Sequence, residues 1–184
     1  DPSITREEFF KYKFDVEYSR ESILAGVRNR YVKEMEGKEI SDDLLPGFKL
    51  IKNWNLRADS LNTSAALSIL TLPNAFKPEN LKYDRDSITV KLRENMSYLK
   101  KQYGRIDVPL GRVVRLVRGA TSLPLSGGPG TLRAIYSKKS GKNYKAVAGD
   151  CYIQAVEWGP EGQLNAWSIH PVSYTHLRAH ETSE

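Results

Sequence analysis

Apolar residues recur every three or four positions through most of the first 104 residues, and after that they gather in short runs cut by Gly and Pro. The first part therefore reads as helices. Thr5-Arg6-Glu7-Glu8 fits a capping box with Phe9 and Phe10 behind it, which predicts a short helix from near Arg6. Ile23, Leu24, Val27, Tyr31 and Met35 fall at helical spacing between a cap at Ser19 and a stop at Gly37. Asp42 and Asp43 precede Leu44, Leu45 and Pro46, with Phe48, Ile51 and Trp54 following. Pro46 suits the first turn of a helix that ends near Asn55. Another apolar helix covers Ser64 to Leu72 and is ended by Pro73 and Asn74. The clearest runs from Ser87 to Tyr103, with Ile88, Leu92, Met96, Leu99 and Tyr103 on one stripe and Gly104 at the cap position.

From Val108 the pattern changes. Pro109, Gly111, Gly119, Pro124 and the run SGGPG predict irregular structure to about Gly130, followed by a short strand at Leu132 to Tyr136. Cys151 to Trp158 and Leu164 to His170 read as a hairpin around Gly159-Pro160-Glu161-Gly162-Gln163. Cys151, Ile153 and Ala155 make one apolar row, and Tyr152, Val156 and Trp158 make the other mostly apolar too. Strands of that kind belong between layers. A helical run followed by strands predicts an α+β fold, not a doubly wound one.

The totals narrow the classes. A chain of 184 residues suffices for one domain, and 40% hydrophobic with 27% charged residues is ordinary globular composition. No run approaches the roughly 18 apolar residues of a membrane span. The net charge of +6 raises the alternative of a non-enzymatic binding module for nucleic acid or an anionic surface. The basic residues are instead interleaved with acids, as in Arg28, Arg30, Lys33, Glu34, Glu36 and Lys38. The densest stretch, Lys91 to Arg118, lacks an aromatic stacking platform. A solvated basic surface is the reading favoured, with no nucleic acid and no membrane as partner.

Four constellations invite chemistry. His170, His176 and His180 form an H-x5-H-x3-H series, but zinc needs three or four protein ligands, and two of the three lie in an atypical tail, so no metal is assigned. Cys151, His170 and Asp150 could be brought together by the hairpin; a lone Cys paired across a strand is the simpler reading. The run Ser126 to Thr131 lacks the G-K-[ST] ending of a phosphate loop and reads as a tight turn. Arg115 and Arg118 could hold an anion, although arginines in such loops more often clamp backbone carbonyls. No catalytic, cofactor or metal residue is assigned.

Three blocks carry a family resemblance. They are Trp54-Asn55-Leu56-Arg57-Ala58-Asp59-Ser60, the stretch YGRIDVPLGRVVRLVRGATSLPLSGGPGTLRAIY from Tyr103 to Tyr136, and GDCYIQAVEW from Gly149 to Trp158. Together they resemble the C-terminal part of the β-chain of penicillin-acylase-type N-terminal-nucleophile hydrolases, over about Lys13 to Val172. The family's form of the third block reads GDSY, which makes Cys151 a serine replacement at a packing position. The resemblance implies a truncated piece of an αββα fold, and a self-cleaving precursor whose new N-terminal serine attacks an amide carbonyl. It implies an N-acyl substrate such as a penicillin or an acyl-homoserine lactone, a role in antibiotic biosynthesis or resistance, and export to the periplasm or secretion. It places the catalytic serine upstream of Asp1, so residues 1–172 are expected to be an inactive fragment partnered by the α-chain and upstream β-chain. SYTHLRAHETSE, residues 173–184, resembles translated sequencing-adapter sequence and is expected to be a non-native tail.

Overall fold

The structure is a computed structural model and describes residues 4–73, 82–149 and 153–169. The expected tail from Ser173 and the residues Asp150, Cys151, Tyr152, His170, His176 and His180 lie outside the described residues.

Among the described residues six helices precede or flank two sheets, which is the mixed α and β composition expected. Helix α1 (Arg6–Lys13) has the capping box: Thr5 Oγ1 accepts from the Glu8 amide at 3.2 Å, and the Glu8 carboxylate accepts from the Thr5 amide at 2.8 Å. Helix α2 (Ile23–Glu36) is capped by Ser22, not by Ser19 as the sequence suggested. Ser22 Oγ accepts from Ala25 at 3.2 Å, whereas Ser19 Oγ accepts from Glu21 and shapes the turn before the helix. Helices α3 (Leu45–Asn53) and α4 (Ala65–Thr71) follow as expected, with Pro46 in the first turn of α3. Helix α5 (Arg85–Tyr103) starts two residues before the expected Ser87, because the Asp84 carboxylate accepts from Asp86 and Ser87. It ends where Gly104 turns left-handed at φ 78°.

Helices α2 to α5 close one core. Tyr31, Ile51, Trp54, Leu67, Leu92 and Leu99 are all buried in it, and Met96 and Tyr103 pack half-buried against it. Each such side chain contributes on the order of 1.5–3 kcal/mol by leaving water.

The stretch expected to be irregular is so only from Leu125 to Gly130; before that it is regular. It contains a helical turn α6 (Leu110–Val113), then strands β1 (Val114–Arg118) and β2 (Thr121–Pro124). The short strand expected at Leu132 to Tyr136 is displaced, to β3 (Ile135–Ser140), and β4 (Asn143–Gly149) follows it. The four strands form one sheet in the order β2-β1-β4-β3, with β1 and β4 parallel through Val114↔Tyr144 and Arg115↔Lys145. Two-residue turns join the antiparallel pairs, with Gly119 at φ 54° and Gly141 at φ 60°. Positive φ is what a tight hairpin needs and what glycine supplies. Helix α5 holds the second turn: Tyr98 and Tyr103 both donate to the Lys142 carbonyl, at 2.8 and 2.5 Å.

The C-terminal hairpin forms as expected from β5 (Ile153–Trp158) and β6 (Leu164–Ile169), paired from Ile153↔Ile169 to Trp158↔Leu164. It is a separate two-stranded sheet. Among the described residues no helix is long and apolar enough to cross a membrane.

Candidate functional site

The first two blocks of the resemblance meet in space. Gly111 donates its amide to the Ser60 carbonyl at 2.8 Å, Leu110 to Asn62 at 3.1 Å, and Gly127 to Ala58 at 2.7 Å. Ser126 Oγ accepts from the Ser60 amide at 2.9 Å. The glycine run is thus a stitch between the sheet and the helical core, and no helix N-terminus for phosphate follows it. Both glycines are required by space. A Cβ on Gly127, at φ 117°, would run into the Arg133 carbonyl, and one on Gly128 into the Tyr18 hydroxyl. Gly111 is equally confined, between Pro124 and Ser60.

The partner segment carries strain. Leu56 is a buried non-glycine residue at φ 63°. A left-handed leucine costs on the order of 1–3 kcal/mol and persists only where its surroundings over-determine it. They do: the Leu56 carbonyl accepts from Tyr18 at 2.9 Å, and Ala58 donates to Val16 at 2.9 Å. The Trp54 indole and the Asn62 amide both donate to the Arg57 carbonyl at 3.0 Å. Sequence reasoning missed this turn because no glycine marks it.

Beneath the stitch lies a cavity of about 230 Å3 between α4 and the four-stranded sheet. Leu70, Leu110, Val114 and Ile135 form apolar walls, and Ser137 and Tyr144 line it as well. No charged side chain is among the described residues that line it. Burial pushes the Tyr144 phenol above its ordinary range. Tyr18 stands behind the Gly128 wall with its hydroxyl buried and without a hydrogen-bond partner among the described residues. Burial, and next the nearby Tyr136 phenol, push the Tyr18 hydroxyl far up, so it is a neutral donor.

The arginines expected to clamp carbonyls are placed plainly. Arg115 donates to the Gly111 carbonyl at 2.9 Å and to the carbonyl and hydroxyl of Ser122 at 2.5 and 3.0 Å, tying α6 to β2. Arg118 donates to the Val117 carbonyl at 3.0 Å. Cys151, His170 and Asp150 all lie outside the described residues. Among the described residues no group of three His, Cys, Asp or Glu side chains could hold a metal ion. The basic surface is interleaved with acids: Arg30–Glu34 at 2.9 Å, Lys52–Glu36 at 2.9 Å, Arg57–Glu17 at 3.3 Å and Arg93–Asp43 at 3.2 Å.

The hairpin presents the other surface of interest. Trp158 is 72% and Leu164 61% exposed, and Val156 is also open to solvent. Trp167 packs edge-on against Phe10 of α1 at 5.9 Å, and the Arg6 guanidinium lies over its ring at 4.4 Å. Open grooves flank Trp167 on both sides, lined by Phe9, Phe10, Phe14 and Ala155. No protein-family model matches the chain, and comparison with curated proteins finds no match.

Proposed function

We propose that this chain is a structural part of a penicillin-acylase-type amide hydrolase, from the C-terminal portion of its β-chain. The observation that carries the reading is the stitch between residues 54–62 and 110–127, which joins two of the three resembling blocks through backbone hydrogen bonds. Residues that stand far apart in the chain are needed together there, down to the Gly127 and Gly128 positions that tolerate no Cβ. The exposed tryptophan and leucine of the β5–β6 hairpin support it as well, since a bare two-stranded sheet is marginal in water and gains from further layers. In this reading the nucleophilic serine and the acyl pocket belong to other parts of the precursor. The substrate is an N-acyl compound, such as a penicillin or an acyl-homoserine lactone. The enzyme works in the periplasm or outside the cell.

The test is the reading frame upstream of Asp1 in the source DNA. A serine following a self-cleavage junction is expected, and a precursor expressed with it releases the acyl group while the 184-residue chain alone does not. An upstream frame without such a serine, or amidase activity in the isolated chain, overturns the proposal. The alternative of a basic binding module makes a different demand. It requires nucleic-acid binding whose logarithmic affinity falls steeply and linearly with logarithmic salt. The ion pairs on the helical part of the described surface interleave acids with bases there.

A further inference from the structure

We propose that the cavity between α4 and the four-stranded sheet is a binding site for a small neutral molecule, phenol-sized, with an apolar body and one hydroxyl or carbonyl oxygen. This inference is independent of the amide-hydrolase reading. Three observations lead to it.

Size comes first. An apolar cavity of about 150 Å3 in a protein interior stays dry and takes up benzene. The cavity here is larger, at about 230 Å3, and partly open to solvent, and its walls at Leu70, Leu110, Val114 and Ile135 are aliphatic. The second observation concerns charge. Neither a cation nor a carboxylate is among the described lining residues, so these walls offer a carboxylate or ammonium ligand no counter-charge. That disfavours acids and amines and selects neutral molecules.

The third observation is the polar equipment. Ser137 and Tyr144 line the cavity, and neither hydroxyl has a hydrogen-bond partner among the described residues. The buried Tyr18 hydroxyl behind Gly128 is unpartnered too. The Tyr18 hydroxyl does not line the cavity, so the Ser137 and Tyr144 hydroxyls are the ones that can bond a ligand oxygen. Small-molecule sites commonly combine an apolar wall with a few convergent polar groups in this way.

The experiment titrates the full 184-residue chain with phenol, toluene and benzoate, followed by calorimetry and by protein NMR shifts. Phenol should bind saturably, toluene more weakly, and benzoate not at all over the same range. In the double variant Ser137→Ala, Tyr144→Phe, which barely alters cavity volume, phenol affinity should fall roughly two- to tenfold towards that of toluene, the size of lost hydrogen bonds. Toluene affinity should not change. Ala66→Leu, which puts a larger side chain into the wall, should abolish phenol binding while the chain still melts cooperatively. If that variant does not fold, the double variant alone decides. Failure of any probe to saturate would mean that the cavity holds only water. Equal affinity for phenol and toluene in the unaltered chain, or benzoate binding as tightly as phenol, would overturn the proposal equally.

Discussion

Trp54 and Trp158 both close a secondary-structure element beside turn-forming residues, yet Trp54 is 1% exposed and Trp158 72%. Around Trp54 the backbone is bonded to distant segments at Val16, Tyr18, Leu110, Gly111 and Gly127. Around Trp158 the backbone partners among the described residues are its own hairpin mate and turn, Leu164 and Gln163. The lesson is that an aromatic residue is buried where its backbone has long-range partners to hold layers over it. Hydrophobicity of the residue does not suffice.

That contrast can be broken most sharply at the tryptophans themselves. Trp54→Ala should cost about 3–5 kcal/mol in urea unfolding, from lost burial and from the unmet Arg57 carbonyl it leaves. Trp158→Ala should stay within about 0.5 kcal/mol, as exposed positions do, and should lower binding of an apolar dye. Equal costs at the two sites would erase the distinction between the regions.

The stitch gives the next largest effect. Gly127→Ala should cost about 1–3 kcal/mol or more, because φ 117° is open to glycine alone and the Arg133 carbonyl fills the Cβ position. Gly128→Ala should destabilise by about 1–3 kcal/mol through overpacking against the Tyr18 hydroxyl. Tyr18→Phe in the same chain should recover much of that loss, and by itself should be neutral or slightly stabilising. Thermal melts of the single and double variants check the coupling.

At the edges of the molecule the effects shrink. Thr5→Ala should remove the hydroxyl half of the α1 capping box, leaving the residue-5 amide on the Glu8 carboxylate, at a cost of about 1 kcal/mol. Backbone and side-chain bonds from Thr5 hold the Glu8 carboxyl below its ordinary 4.5. A folded value below the unfolded one adds stability above pH 4.5, and that stability is lost as the pH falls through the folded value. The Thr5→Ala chain should show less of this acid sensitivity. Tyr83 works in the opposite direction. Burial, and then its bond to Glu34, push its phenol from 10.0 to about 12. Its contribution is intact below pH 10 and is lost as the pH rises from there to about 12, so Tyr83→Phe should flatten the stability curve in that window.

The helices were legible because their stripes and caps are local: Ile88, Leu92 and Leu99 announce α5, and Thr5 with Glu8 announces α1. The hairpin was legible from its turn, where Gly162 takes φ 82°. The four-stranded sheet was hidden for a physical reason. Val114 to Arg118 is flanked by glycines and prolines that read as loop, and β3 carries Ser137, Lys138, Lys139 and Ser140 on a strand exposed at its far end. Its pairing depends on the parallel contact of β1 with β4, about 30 residues apart in the chain, which no local pattern encodes. The cavity is invisible in sequence for the same reason, since Leu70, Val114 and Tyr144 meet only once that sheet has formed.

Native-state hydrogen exchange tests the contrast most directly, because each amide reports how its own segment opens. The amides of Tyr18, Ala58, Gly111 and Gly127 donate to the distant carbonyls of Leu56, Val16, Ser60 and Ala58 and should exchange only with global unfolding. The amides of the β5–β6 hairpin should exchange orders of magnitude faster, by local opening that leaves the helical body intact. Equal protection of the two sets, rising and falling together with denaturant, would mean that the hairpin belongs to one cooperative core with the rest and would contradict the division drawn between them.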